Sequence, residues 1–375
     1  MVWRRVGALQ VVGPFRGTSG YDRHTRSFVR QFVQLGVRVH LTPLVGWSPD
    51  VPEAWCDEPC EGLDQPVDAD TTLHFVVPPH LQPHRHRRNV NYTMFEADRI
   101  PPDWAAAARF CDLVVVPTRG AYDAWTASSV PAGRVRVAPL GVDADRFTRT
   151  VAPLDLTAPG GRPLDDFAVR FLNVAELRPR KNHLGLLRAW TRATRATDDA
   201  VLVLKVSAFQ PHELAAFTAD VQRLVGGLAG AAPVVLLTEL LSDDALRRLY
   251  AAATHYISLS HGEGWDLVAM EAAVSGLPLI VPRHSAYAEN LREQEVTFVA
   301  ARPAPAQVEG VMGAADQILF DGLFWWDPDE EKAAAIIRAA IDGHEPPVSP
   351  PGPRLAAEFD WGRSARRLLD VLEET

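Results

Sequence analysis

In S-H-G-E-G-W-D-L-V-A-M-E-A-A-V-S-G-L-P-L-I-V, which runs from Ser260 to Val281, two glutamates flank a glycine-tryptophan turn and an apolar run. Glu263 lies in the turn, and Glu271 lies near the start of the helix that follows, among Met270, Ala272, Ala273 and Val274. A carboxylate in such surroundings must be paired or hydrogen-bonded, because an isolated buried charge is very costly. Bonds to backbone amides at the helix start would meet that need. So would gripping the two hydroxyls of a ribose, a bidentate task that suits a carboxylate. The amides of Gly264, Trp265, Asp266, Leu267 and Val268 would form an anion site at the helix N-terminus. A diphosphate between a ribose and a sugar has about the length needed to link Glu271 to Glu263, which would face a cleft.

The turn follows the run H-Y-I-S-L-S, and the carboxyl edge of an open parallel sheet is where ligands bind. The rest of the chain supplies that sheet twice. Arg5 to Val12 is a short apolar run ending in the glycine-rich turn G-P-F-R-G-T-S-G-Y, after which Phe28, Phe32 and Leu35 recur at helical spacing until Gly36. V-R-V-H-L, T-L-H-F-V-V, N-V-N-Y-T-M-F, D-L-V-V-V-P and R-V-R-V-A-P-L read as further strands. The pattern restarts with V-R-F-L-N-V-A, A-V-L-V-L-K-V and P-V-V-L-L. Buried strands alternating with helices imply parallel α/β sheets. The expected architecture is two Rossmann-like, doubly wound domains facing across a cleft: residues 1–150, a Pro-, Gly- and Thr-rich linker at 151–168, and residues 169–355. Residues 356–375 read as an amphipathic helix returning toward the first domain.

Composition narrows the classes. A chain of 375 residues exceeds one ordinary core. A net charge of −9 argues against nucleic acid as a partner, and H-R-H-R-R at His84–Arg88 reads as a solvated loop first, with a phosphate-bearing or membrane partner as the lesser alternative. There is no run of ~20 apolar residues for a transmembrane anchor. The N-terminal M-V-W-R-R-V-G-A-L-Q-V-V-G lacks the unbroken apolar stretch of a signal peptide. Three cysteines fit a reducing cytoplasm, and C-D-E-P-C at Cys56–Cys60 lacks the second ligand pair of a zinc site. Gly13, Gly17 and Gly20 imitate a dinucleotide loop at the wrong spacing, with no acidic residue after V-R-V-H-L. D-x-D occurs at Asp68, Asp143 and Asp327; three copies read as caps and turns, so no metal is expected.

Four ordered elements resemble the retaining glycosyltransferases of family 4, which have the GT-B fold. The Glu263–Glu271 stretch is similar to that family's Glu-x7-Glu signature. P-R-K-N at Pro179–Asn182, an exposed basic turn if taken alone, is similar to its donor-phosphate segment. V-A-P-L-G-V-D-A-D-R-F is similar to the element closing its first domain, and Ser19-Gly20-Tyr21 to its N-terminal glycine loop. The resemblance implies transfer of a sugar from a nucleotide-diphosphate sugar to a hydroxyl of a small-molecule or saccharide acceptor, with no cofactor. Arg180 and Lys181 would bind the donor diphosphate and stabilise the leaving group. Glu263 would contact the sugar and Glu271 the ribose, while Gly20 would let backbone approach the donor. The acceptor would meet Gly17, Thr18, Ser19 and Tyr21, with Glu96 near the reacting sugar and Asp98 beside it.

The chain departs from the family in two places. Asp266 replaces a glycine beside the expected diphosphate, an unfavourable anion unless its side chain turns away to cap the helix. Glu176 and Leu177 stand where many members have Gly-Arg. Glu96 has a bland alternative as a loop salt bridge with Arg99. A sugar-nucleotide epimerase, a phosphorylase-like enzyme with a cofactor-bearing lysine, and a catalytically silent nucleotide-sugar-binding partner are the competing readings.

Overall fold

A computed structural model of the chain describes residues 6–56, 60, 62–148, 150–207, 211–310 and 314–374. Met1–Arg5, Asp57–Pro59 of the C-D-E-P-C loop and the Glu61 that follows it lie outside the described residues. The chain divides into two compact units. The first holds Met1–Asp143, Leu241–Asp243 and Ala356–Thr375, and the second Ala144–Leu240 and Asp244–Leu355. Among the described residues, no helix is long and apolar enough to cross a membrane.

The first unit is built on six strands: β1 (Ala8–Gly13), β2 (Arg38–Pro43), β3 (Thr71–Phe75), β4 (Arg88–Tyr92), β5 (Leu113–Val116) and β6 (Val135–Val137). They pair in parallel in the order β2-β1-β3-β4-β5-β6. Helix Gly20–Gln34 buries Phe28, Val29 and Phe32, and Gly36 follows at φ +83°, a left-handed position where glycine avoids the steric cost. The amphipathic run at the end of the chain is helix Trp361–Glu373, capped by Asp360 accepting from Arg363 N–H at 3.1 Å. It belongs to this unit. Trp361 packs edge-on against Phe28 at 5.2 Å between ring centroids. H-R-H-R-R is not simply a solvated loop: Arg88 Nη1 donates to Leu372 O at 2.6 Å, and Arg87 Nη1 to Gln10 Oε1 at 3.3 Å. Its basic end fastens β4 to the C-terminal helix and to β1.

The second unit repeats the construction with β7 (Val169–Glu176), β8 (Ala200–Ser207), β9 (Val234–Leu237), β10 (His255–Ile257), β11 (Leu279–Pro282) and β12 (Thr297–Val299). Their parallel order is β12-β11-β10-β7-β8-β9. On one face Phe171, Leu202, Leu204 and Val206 pack with Leu186, Trp190 and Ile337 in a single core. The Pro- and Gly-rich stretch at 151–168 lies within this unit, where Leu154 N–H donates to Arg248 O at 2.8 Å. An antiparallel hairpin, β13 (Ala301–Pro305) and β14 (Phe324–Pro328), stands apart from the main sheet.

The second sheet runs outward in both directions from the β7–β10 pair. That is the point where strand order reverses, and the carboxyl ends there leave a crevice between diverging connections. In the first sheet the corresponding point is between β1 and β3.

Candidate active site

The segments leaving β7 and β10 meet at that crevice. After β7, residues Pro179–Lys181 make one tight turn, and Asn182 adopts the left-handed conformation at φ 52°, which Asn tolerates better than most residues. Its Oδ1 then caps helix His183–Ala193 by accepting from Gly185 N–H at 3.1 Å, while Nδ2 donates to Leu259 O at 2.9 Å. The turn is thus tied to the end of β10. Asn173 Nδ2 adds a second tie, to Ile257 O at 2.8 Å.

Held this way, Arg180 and Lys181 converge on one carboxylate. Lys181 Nζ donates to Glu263 Oε1 at 2.7 Å and Arg180 Nη1 to Oε2 at 3.0 Å. Arg180 Nη1 also bonds Gly262 O at 2.6 Å. Glu263 is 4% exposed. Burial alone would raise its carboxyl, but the Lys181 and Arg180 charges outweigh that and hold it down to about 2. The sequence-level roles divide these three residues between a phosphate and a sugar; in the folded chain they form one ion cluster.

The backbone of Glu263 is fixed from behind. His284 Nε2–H donates to Ser260 O at 2.7 Å, so Nδ1 must accept, and Ser285 Oγ–H donates to it at 2.8 Å. Ser285 Oγ then accepts from Glu263 N–H at 3.2 Å. Burial keeps His284 neutral, lowering it to about 4 despite the bond to Ser260. The two tryptophans of β14 brace this loop. Trp325 stacks on His261 at 4.3 Å and 7°, and Trp326 on His284 at 5.3 Å and 15°. Trp326 N–H donates to His261 O, and His261 Nδ1–H to Trp326 O, both at 2.9 Å.

Helix Leu267–Val274 opens after the loop, with Asp266 at the N-cap in the left-handed region at φ 67°. No side-chain cap hydrogen bond forms from Asp266, although the Ala269 N–H of the first turn still favours its charged form. Asp266 Oδ2 instead accepts from Tyr287 Oη, whose hydroxyl also lies 3.1 Å from Ser258 Oγ. Burial and the nearby Glu263 charge raise the Asp266 carboxyl to about 6, against the opposing influence of Lys181, Tyr287 and the Ala269 amide. Gly264 and Trp265 are buried, and Leu267 and Val268 half-buried. Glu271 lies one turn into the helix, 5% exposed, and accepts from Tyr250 Oη at 3.0 Å.

The first-unit residues sit at the carboxyl ends of β1 and β4. Ser19 caps helix Gly20–Gln34 in a capping box with Asp22, and its hydroxyl also accepts from Trp47 Nε1 at 3.0 Å. Gly17 N–H donates to Asp22 Oδ1 at 2.8 Å, and a Cβ at Gly17 would lie 2.1 Å from Ser48 Oγ. These contacts account for Gly17 and Ser19 as parts of the loop's frame. Thr18 is half-buried, and Gly20 is exposed with open space where a Cβ would stand. Tyr21 Oη lies 3.2 Å from Thr93 Oγ1. Glu96 is half-buried, and Arg99 pairs with Asp98 at 3.2 Å. Of the D-x-D segments, Asp329 caps helix Glu330–Ile341 and Asp145 stands in the first turn of helix Ala144–Phe147. Among the described residues, no group of three or more His, Cys, Asp or Glu could hold a metal ion.

Sequence reasoning did not single out Tyr250, Tyr287, His284, Ser285 or Asp22. Only Asp22 had a local signal, the S-x-x-D spacing of a capping box.

The family model described as glycosyl transferases group 1 matches residues 168–319. The D-inositol 3-phosphate glycosyltransferase of Acidothermus cellulolyticus is 26% identical over 303 residues, covering 76% of this chain and 59% of that relative's length. Among solved structures, sucrose-phosphate synthase from Thermosynechococcus elongatus superposes with a TM-score of 0.62 at 14% identity, covering 99% of each chain. Anabaena HepE, crystallised in complex with UDP and glucose, gives 0.58 at 12% identity, covering 98% of this chain and all of that one. The two six-stranded parallel sheets with their helices are the GT-B fold of such glycosyltransferases.

Proposed function

We propose that the protein is a retaining, metal-independent glycosyltransferase that moves a hexose from a nucleotide-diphosphate sugar to a hydroxyl of a small-molecule or saccharide acceptor. The observation that carries the reading is the convergence of Arg180, Lys181 and Glu263 at the reversal point of the second sheet, beside a helix bearing the buried Glu271. The two cations would exchange part of their bonding from Glu263 to the diphosphate, where charge develops as the glycosidic bond breaks. Glu263, released in part, would accept from sugar hydroxyls. Glu271, oriented by Tyr250, would hold the ribose, and the backbone at Gly264–Val268 would line the phosphates.

Gly20 would let the first unit's backbone approach the donor, and Glu96 and Asp98, with the Gly17–Tyr21 loop, would form the acceptor side. By the family resemblance, the leaving phosphate acts as the base toward the acceptor. The relative named for inositol 3-phosphate and the neighbour holding UDP and glucose support a nucleotide-sugar donor and a hydroxylated acceptor.

A second reading, a catalytically silent nucleotide-sugar-binding partner, is favoured by one observation: Asp266, a buried carboxylate, stands at the N-terminus of the helix facing the expected diphosphate. The test is calorimetric titration with UDP, GDP, ADP and dTDP without metal, followed by assay of donor hydrolysis and transfer. Binding of one nucleotide that is lost in Glu271→Ala, together with turnover, supports the enzyme. Binding without turnover supports the silent partner, and absence of binding refutes both.

A further inference from the structure

One buried cation of the second unit takes no part in the cluster around Glu263. In the strand A-V-L-V-L-K-V-S of β8, Lys205 is the one charged side chain, and it is 4% exposed. Leu202, Leu204 and Val206 enter the hydrophobic core on one face, so the alternation of the strand directs Lys205 to the other. Its Nζ donates to Ser207 Oγ at 2.9 Å and to Val206 O at 3.3 Å. Among the described residues, it forms no ion pair with a carboxylate. Glu239, exposed beyond the end of β9, favours the ammonium through space, but burial prevails and lowers it to about 8.

A buried ammonium without a bonded counter-charge is costly to the fold. Methionine would fill similar volume without that cost, so folding alone does not account for a lysine here. Its position does. Lys205 pairs in register with Val174, and Ser207 with Glu176, at the carboxyl edge of the sheet. Ser207 O accepts from Leu177 N–H at 2.8 Å, fastening β8 to the turn that presents Arg180 and Lys181. The Ser207 hydroxyl, already accepting from Lys205, keeps its own hydrogen to donate.

We propose that Lys205, with Ser207, is an anion contact of the nucleotide subsite and meets a phosphate oxygen of the bound nucleoside diphosphate. The inference rests on the donor reading above and adds to it a third cation from a different strand.

The test is calorimetric titration of the full chain and of Lys205→Met with UDP, GDP, ADP and dTDP, with the melting temperature of each unliganded protein recorded alongside. The expected result is a Kd at least tenfold higher in Lys205→Met for the diphosphate that binds wild type, with an unchanged or raised Tm. A Kd within twofold of wild type, while Glu271→Gln loses binding, overturns the Lys205 assignment and leaves the donor site standing. If no diphosphate binds wild type, the donor reading falls and this inference falls with it. Should Lys205→Met fold poorly, amine labelling of wild type reads the same point against Lys332. The diphosphate must slow labelling of Lys205, and labelling equal with and without nucleotide overturns the proposal.

Discussion

Lys181 Nζ lies 2.7 Å from Glu263 Oε1, across 82 residues of sequence. The cation proposed for a leaving diphosphate and the carboxylate proposed for the transferred sugar are therefore bonded to each other. Such an arrangement keeps two cations and a buried carboxylate mutually satisfied. On the proposed donor reading it would also couple nucleotide binding to rearrangement of Glu263.

Replacing the carboxylate separates these effects. Glu263 sits at about 2, well below the 4.5 usual for a glutamate. Its stabilising contribution is therefore fully present above about pH 4.5 and is lost as pH falls toward 2. A shift of that size corresponds to about 3 kcal/mol. Glu263→Gln should melt earlier than wild type at pH 7, and the gap should close in the acid limb. It should bind nucleoside diphosphate at least as tightly as wild type, because Arg180 and Lys181 are released, yet transfer sugar far more slowly. Melting curves from pH 2 to 7 and a nucleotide titration check both halves; a pH-independent gap would count against the ion cluster.

Asp266 shifts the opposite way and has the opposite sign. Its carboxyl is raised to about 6, from 3.8, chiefly by burial and by Glu263. The folded state thus holds a proton that the unfolded state releases, and stability falls as pH rises from about 4 through 6. Asparagine keeps an acceptor for Tyr287, tolerates the left-handed φ of 67° and carries no charge. Asp266→Asn should raise Tm at pH 7.5, by an amount corresponding to about 1–3 kcal/mol, and give no gain at pH 4. Equal Tm values at both pH values would show that the buried charge is harmless there.

How much of this was legible in the sequence depended on distance along the chain. The strands from β1 to β10 announce themselves as apolar runs between turn residues. Glu263, Glu271, Arg180 and Lys181 lie in short motifs that the two strand ends bring to one crevice. The second tier was not legible. Tyr250 reaches Glu271, and Tyr287 reaches Asp266, over 21 residues and from different helices, and tyrosines at those positions carry no local pattern. The bracing of His261 and His284 by Trp325 and Trp326 depends on a hairpin whose strands are separated by 18 residues of sequence. Local propensity specifies the strands; tertiary contact decides which polar side chains meet.

The ribose assignment of Glu271 makes a prediction that a purely structural role would not. If its carboxylate grips both hydroxyls, wild type should bind a 2′-deoxynucleoside diphosphate roughly tenfold or more weakly than the ribonucleotide of the same base, the value of a charge-assisted hydrogen bond. In Glu271→Gln that discrimination should shrink to near unity while overall affinity falls. Competition titrations with the two nucleotides read the ratio directly. Discrimination retained in the variant would place the ribose elsewhere and leave Glu271 as the partner of Tyr250.

The first unit offers a test that is independent of nucleotide. A Cβ built on Gly141 would lie 2.6 Å from Trp361 Cδ2 and 2.7 Å from Trp361 Cα, so the C-terminal helix packs against bare backbone there. Main-chain atoms on a packed helix cannot yield cheaply, and overpacking of this kind costs about 1–3 kcal/mol. Gly120, within helix Arg119–Ala127, has open space where its Cβ would stand. Alanine there should stabilise by about 0.5 kcal/mol through reduced chain entropy. Gly141→Ala should lower the urea midpoint and Gly120→Ala should raise it slightly. The sign of the difference carries the argument: if Gly141→Ala is neutral, helix Trp361–Glu373 does not lie against residue 141 as closely as the structure has it.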